Sequence, residues 1–207
     1  GNIWIGTMGK GLYVLDPATG KYRQLKEVIA SGSSSILSIT GSGNTVCIAG
    51  LEGAMVFELS SENINNSNLY SFTSYNNIQN IGSTYIYNVF KDSKGRLWFA
   101  TDGKGLTLME NNMFFHFDNR NGIKDNHIYS ITEDKHGRIW FSTSNAGVYS
   151  YDGKTFTNYT LRDGLSNLAV STMLTDKQGN VIAVHPFGLD IINPVTGSFS
   201  YINTARG

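Results

Sequence analysis

A seven-residue block recurs along this chain, and a tandem repeat constrains a fold more tightly than any composition can. Its clearest form is Gly95-Arg96-Leu97-Trp98-Phe99-Ala100-Thr101, which returns as Gly137-Arg138-Ile139-Trp140-Phe141-Ser142-Thr143. The chain opens on a third copy, Gly1-Asn2-Ile3-Trp4-Ile5-Gly6-Thr7. Weaker copies are Gly179-Asn180-Val181-Ile182-Ala183-Val184 and Asn44-Thr45-Val46-Cys47-Ile48-Ala49, where isoleucine and cysteine replace the tryptophan. The tryptophan position falls at 4, 47, 98, 140 and 182, a period of 42 or 43 residues broken once by 51.

Each unit reads as four short strands. In the best copy an apolar strand, His127 to Thr132, meets the turn Asp134-Lys135-His136-Gly137 and then the Trp140 strand. A Gly-containing loop leads to Gly147-Val148-Tyr149-Ser150-Tyr151, and the turn Asp152-Gly153-Lys154 brings in Thr155 to Tyr159. Short strands joined by Asp/Gly turns are antiparallel hairpins. Four of them every 40–50 residues make a β-propeller blade. The expected fold is therefore all-β, a propeller of four-stranded antiparallel blades, with blade cores near 1–25, 35–75, 84–118, 127–159 and 168–202. The first blade lacks its innermost strand, and Asn203 to Gly207 are too short to supply it. This reads as part of a longer propeller, a seven-bladed ring of about 290 residues, with a self-contained five-bladed ring as the alternative.

Composition agrees and excludes other classes. Among 207 residues, 23 Gly and 25 aromatics (11 Phe, 11 Tyr, 3 Trp) favour strands and tight turns. Sixteen basic and sixteen acidic side chains cancel, which argues against nucleic acid, whose phosphates demand a clustered basic face. No apolar run approaches the ~18 residues of a membrane span, so any membrane contact is through the parent chain. The single cysteine, Cys47, cannot form an internal disulfide.

Several apparent motifs belong to the scaffold. Asp92, Asp134 and Asp176 open Asp-x-x-Gly turns 42 residues apart, where the carboxylate accepts from backbone amides and Gly suits the fourth position. The repeated tryptophan is expected to wedge between blades. Ser38, Asn88, Ser130 and Thr172 share an inner-strand position and are expected to line a wet axial channel.

The blade pattern resembles the two-component regulator propeller repeat. The crossover Gly164-Leu165-Ser166-Asn167, the looser Gly122-Ile123-Lys124-Asp125-Asn126, and the Trp98-to-Thr101 and Trp140-to-Thr143 strands followed by Gly105-Leu106 and Gly147-Val148 carry the likeness. It is strongest from Asp92 to Asp176 and weakens where Cys47 and Ile182 replace tryptophan. The resemblance implies a periplasmic sensor region of a hybrid histidine kinase. There, adjacent propeller and β-sandwich domains precede a membrane helix, the protein is a homodimer, and oligosaccharides switch on glycan-utilisation genes. No phosphoacceptor histidine region or Gly-rich ATP-binding stretch occurs, so the segment itself is expected to be non-catalytic, with kinase modules elsewhere.

Repetition also separates scaffold from specificity, because loops that differ between blades are free to carry recognition. Loops between the second and third strands and the blade-to-blade crossovers should share one face. They offer Lys10, Glu52, Lys104, Arg120, Asn145, Arg162, His185 and Phe187 as candidate ligand contacts. The cations there suit a carboxylated or sulfated glycan, and Phe187 and Tyr75 could stack on a sugar ring. The longer second repeat, through Ser60 to Ser83, makes the face asymmetric.

His116, His127, His136 and His185 lack metal-ligand spacing, and no cofactor or metal is expected. The enzyme alternative is a streptogramin-lyase-like propeller, which wants a general-base histidine beside metal-holding acids; His185 next to Glu52 is a poor substitute. A third reading is a protein-docking propeller without small ligand.

Overall fold

A computed structural model describes residues 1–60, 70–76 and 78–203. The chain divides into two compact units, Gly1–Lys91 and Asp92–Gly207. In the first unit, β1 (Ile3–Gly6), β2 (Leu12–Leu15) and β3 (Tyr22–Gln24) form a three-stranded sheet. A four-stranded sheet follows from β4 (Ile36–Ser42), β5 (Thr45–Gly50), β6 (Gly53–Leu59) and β7 (Tyr70–Tyr75). The third repeat straddles the division: β8 (Ile86–Lys91) ends the first unit, and β9 (Leu97–Thr101), β10 (Leu106–Glu110) and β11 (Met113–Phe117) open the second. Two further four-stranded sheets are β12 (Ile128–Glu133), β13 (Ile139–Thr143), β14 (Val148–Tyr151), β15 (Phe156–Tyr159), then β16 (Thr172–Thr175), β17 (Val181–His185), β18 (Gly188–Ile192), β19 (Phe199–Asn203). Every pairing is antiparallel between chain neighbours, as in Trp140 opposite Ser150 and Ile182 opposite Ile191. This is the propeller-blade architecture expected from the repeat. The Ser60-to-Ser83 segment that lengthens the second repeat lies partly outside the described residues.

The buried tryptophans explain the repeat. Trp98 and Trp140 are fully buried. Trp140, on the fourth sheet, packs into a cluster with Met173, Val181, Ala183 and Ile192 of the fifth. Trp98 lies 5.9 Å from Tyr151 of the following sheet, and Trp4 of the first sheet lies 5.4 Å from Phe57 of the second. Each tryptophan thus reaches into the next sheet. Burying a side chain of this size contributes about 2–3 kcal/mol, but its indole N–H must find an acceptor.

The repeated aspartate is that acceptor. Asp134 Oδ1 accepts from the His136 and Arg138 amides, while Oδ2 accepts from Arg138 Nε at 2.7 Å and Trp140 Nε1 at 2.8 Å. Asp92 serves Arg96 and Trp98 in the same way. The guanidinium then lies over the indole, 5.3 Å away at Arg96 and 5.7 Å at Arg138. The sequence assigned these aspartates to turn chemistry; the indole bond is a second reason for them. In the fifth sheet Ile182 has no N–H, and Asp176 instead holds the Asn180 amide and side chain.

One expectation needs correction. Asn88 and Ser130 are buried and do not line an open channel. Asn88 Nδ2 donates to Ser38 Oγ at 3.2 Å, and Ser130 Oγ accepts from the Met173 amide at 3.0 Å, so these side chains join neighbouring inner strands; Thr172 alone of the four is exposed. Crossovers also carry short helical turns that periodicity did not reveal: α1 (Lys26–Ala30), α2 (Ile78–Ile81), and 3-10 turns at Asn119–Asn121 and Leu161–Asp163. Each 3-10 turn carries a reciprocal cap, Asp118 with Asn121 and Thr160 with Asp163, which satisfies the first amides of so short an element.

Candidate functional site

The loop after β13 opens where the sheet stops. Thr143 Oγ1 donates to the Gly147 carbonyl at 2.9 Å and accepts from the Ala146 amide at 2.8 Å, closing the four-residue loop Ser144–Gly147. Thr101 and Thr7 make the same bond to Gly105 and Gly11. Gly147 has φ +79°, and a Cβ there would run into the Tyr159 carbonyl oxygen, so only glycine fits between loop and outer strand.

Asp125, in the crossover ahead of β12, fixes this loop. Its Oδ2 accepts from Ser144 Oγ at 2.6 Å and from the Asn145 amide at 2.7 Å, and its Oδ1 accepts from the His127 amide at 3.0 Å and faces His127 Nδ1 at 3.1 Å. Burial alone would raise the Asp125 carboxyl, but the Ser144, His127 and Asn145 hydrogen bonds outweigh it and hold the group below its ordinary value. Carboxylates tie crossover to sheet elsewhere too. Glu52 accepts from Ser34 Oγ and the Ser35 amide, and Asp190 from the Ser166 amide and hydroxyl.

Beside Asp125 lies a cleft of about 540 Å³, lined by Lys124, Asp125, Ser144, Asn145, Ala146, Asn158, Thr160 and Leu168. Two crossovers, the loop after β13 and the end of β15 build it. The buried Tyr149 hydroxyl accepts from the Lys124 amide at 2.9 Å, and burial pushes the Tyr149 phenol above its usual range. The lining mixes amide, hydroxyl, ammonium and carboxylate groups with the apolar side chains of Ala146 and Leu168. Ser144 is no nucleophile here: its hydroxyl donates to Asp125, and His127 sits on that carboxylate's other oxygen, so the imidazole cannot take the serine proton.

Of the eight residues expected at the site, Asn145 lines this cleft. Lys10 and Glu52 belong to the first unit and the other six to the second. Lys10 and Lys104 are exposed. Glu52 is spent as the crossover tie. Arg120 is exposed, but its guanidinium forks onto Asp118 at 2.7–3.1 Å, which lowers the Asp118 carboxyl and raises the guanidinium. Arg162 is exposed on the 3-10 turn 42 residues later, the equivalent scaffold position. Phe187 is exposed, whereas Tyr75 is half-buried at the end of β7, its phenol raised by burial.

His185 is the clearest departure from expectation. It occupies the place of Thr101 and Thr143, and it is buried, its Nδ1 accepting from the Phe187 amide at 3.3 Å where the threonines close a longer loop. Its ring stacks on Tyr201, and Nε2 lies 3.7 Å from buried Asp190.

Sequence reasoning passed over Asn158, Thr160 and Leu168, and it took Lys124 and Asp125 only as family pattern. The available signal was Asn158, a large polar residue on an outer strand where the equivalent positions hold His116 and Ser200.

Comparison with known proteins comes to the same architecture. Residues 80–103 and 122–145 match the two component regulator propeller model, bearing out the resemblance read from the repeat. No curated protein matches the chain by sequence. Among solved structures, the extracellular domain of a B. thetaiotaomicron protein assigned to the hybrid two component systems superposes with TM-score 0.78 at 20% identity, over 98% of this chain and 27% of that one. A second such B. thetaiotaomicron domain gives TM-score 0.63 at 21% identity, over 97% and 29%. A streptogramin B lyase gives 0.76 at 17%, over 99% and 66%. The chain thus spans between a quarter and a third of the two-component domains it resembles. At these identities the likeness establishes the propeller fold.

Proposed function

We propose that this chain is a ligand-sensing propeller segment from the extracytoplasmic, periplasmic part of a hybrid two-component sensor histidine kinase, detecting oligosaccharides and controlling glycan-utilisation genes. The observation that carries the reading is the pair of segments matching the two component regulator propeller model, with the two B. thetaiotaomicron extracellular domains as fold-level support. Under this reading the ligand sits in the blade-four cleft. Kinase modules, adjacent propeller and β-sandwich domains and a homodimer belong to the parent protein under this reading. The segment is non-catalytic, and no helix in it is long and apolar enough to cross a membrane among the described residues.

A glycan panel tests it. A ligand at a hundred times its Kd stabilises by about 2.7 kcal/mol, roughly 5–10 °C in Tm for a domain of this size. The expected result is such a shift for at least one oligosaccharide, abolished by Asn145→Trp, which fills the cleft. No shift across the panel, with a shift for a protein partner, overturns it in favour of a docking platform.

The lyase likeness supports a second reading, an enzyme. Against it, the described residues bring together no group of three histidine, cysteine or acidic side chains able to hold a metal, and Asp125 and Asp190, which face His127 and His185, are committed to holding crossovers and loops. Turnover of a streptogramin by the full chain would establish the enzyme reading.

A further inference from the structure

In three of the sheets a hydroxyl closes the loop between second and third strands; in the fifth an imidazole does. Thr7 and Thr143 Oγ1 each donate to the glycine carbonyl four residues on and accept from the amide three residues on, and Thr101 makes the same donation to Gly105. A hydroxyl both donates and accepts without titrating near neutral pH. His185 takes that place in the fifth sheet, its side chain 1% exposed. Pro186 has no N–H to give, so Phe187 is the first donor after the strand, and its amide goes to His185 Nδ1 at 3.3 Å. The other half of the closure passes to β19, where the Tyr201 hydroxyl donates to the Phe187 carbonyl at 3.0 Å. A ring nitrogen that accepts carries no proton, so the neutral imidazole holds its hydrogen on Nε2. That atom is buried without a hydrogen-bond partner and lies 3.7 Å from Asp190 Oδ2. The Asp190 carboxylate is itself held in place by the Ser166 amide and hydroxyl.

We propose that His185 is a proton-operated latch on the loop Pro186–Gly188: neutral, it closes the loop, and protonated, it lets go. The added proton goes onto Nδ1, where it meets the Phe187 N–H with no acceptor between them, and that bond is lost. The imidazolium is drawn the other way, towards Asp190, because an opposite charge favours the charged ring. The titratable groups facing the ring are Asp190 of β18 and Tyr201 of β19, the latter stacked on it at 5.6 Å. Among the described residues no lysine or arginine pairs with Asp190 to cancel the pull. Histidine is the side chain whose ordinary charge change falls between about pH 5 and 8, so the fifth loop responds in that range while the threonine-closed loops do not. Phe187, 64% exposed, rides on the loop and is released with it. The latch is independent of what the segment binds.

Amide hydrogen exchange of the full chain, followed by NMR and corrected for the intrinsic effect of pH, tests the latch. Across histidine's range, from about pH 8 to 5, the Phe187 amide should lose about tenfold of its protection. The Ala146 amide, held by Thr143, should keep its own over the same range. His185→Asn, which sets an oxygen that cannot take the proton close to the place of Nδ1, should flatten the Phe187 response. Unchanged Phe187 protection, a response that survives His185→Asn, or equal losses at Phe187 and Ala146 overturns the proposal. If the asparagine variant does not fold, the ring of the unaltered protein decides. Its nitrogen chemical shifts should show a bare Nδ1 and a protonated Nε2 at the alkaline end, and the opposite tautomer overturns the latch.

Discussion

At the scale of single residues, the Asp–Arg–Trp arrangement anchors the third and fourth sheets. Asp134 satisfies two backbone amides, a guanidinium and a buried indole N–H at once. Asp134→Ala leaves those donors stranded, and urea unfolding should register a loss of about 2–4 kcal/mol. Asp176→Ala should cost far less, since Ile182 carries no N–H. Burial works against ionised Asp134, but the bonds from Trp140, Arg138 and His136 prevail and set its folded pKa below the ordinary carboxylate value. The stabilisation is therefore complete above the unfolded value, about 4. It is lost as pH falls from there through the folded value. Asp134→Asn should flatten that acid limb of the stability profile. Cys47 is the complementary case: buried where other copies hold tryptophan, its thiol is pushed up to about 11 by burial. Iodoacetamide at pH 8 should label it only after unfolding.

At the scale of elements, the loop between second and third strands is closed by a side chain in the strand's last position. Thr143→Val removes both loop bonds and should cost about 1–2 kcal/mol. It should also weaken any ligand of the cleft, since Ser144 to Ala146 form its wall. His185 fills the same position in the fifth sheet. His185→Thr, measured by Tm and by glycan binding together, should lower stability and leave binding intact; lost binding at unchanged Tm would restore His185 to the site. The strands themselves were legible, because hairpin chemistry is local. The 3-10 turns were not, because three residues are too few to show a period and only the paired caps give them away.

At the scale of the whole molecule, each unit carries its own buried cluster. Leu12, Val46, Ile48, Met55 and Phe57 anchor the first, and Trp140, Val170, Val181 and Ile192 belong to the second. In repeat architectures stability is a sum of unit and nearest-neighbour terms. Phe57→Ala should thus cost about 3–5 kcal/mol and speed amide exchange in β4 to β6, with much less effect in β13 to β18. Uniform acceleration across all strands would show that the chain unfolds as one cooperative body.

The sequence by itself determined the blades: a 42-residue period, tryptophan and turn aspartate in fixed register, and glycine where loop and outer strand touch. Such constraints act within a few residues or repeat identically, so one chain displays them several times over. Only the tertiary structure decided which loop residues are free. Arg120, Glu52 and His185 look available in the sequence, yet each is committed to a bond with a partner two to eighteen residues away. Lys124 and Asn158 look ordinary, yet they share one cleft. Whether a polar group is spent or unspent depends on the donors and acceptors that folding brings within hydrogen-bond reach of it, and loops that differ between blades offer no repeat from which to infer them.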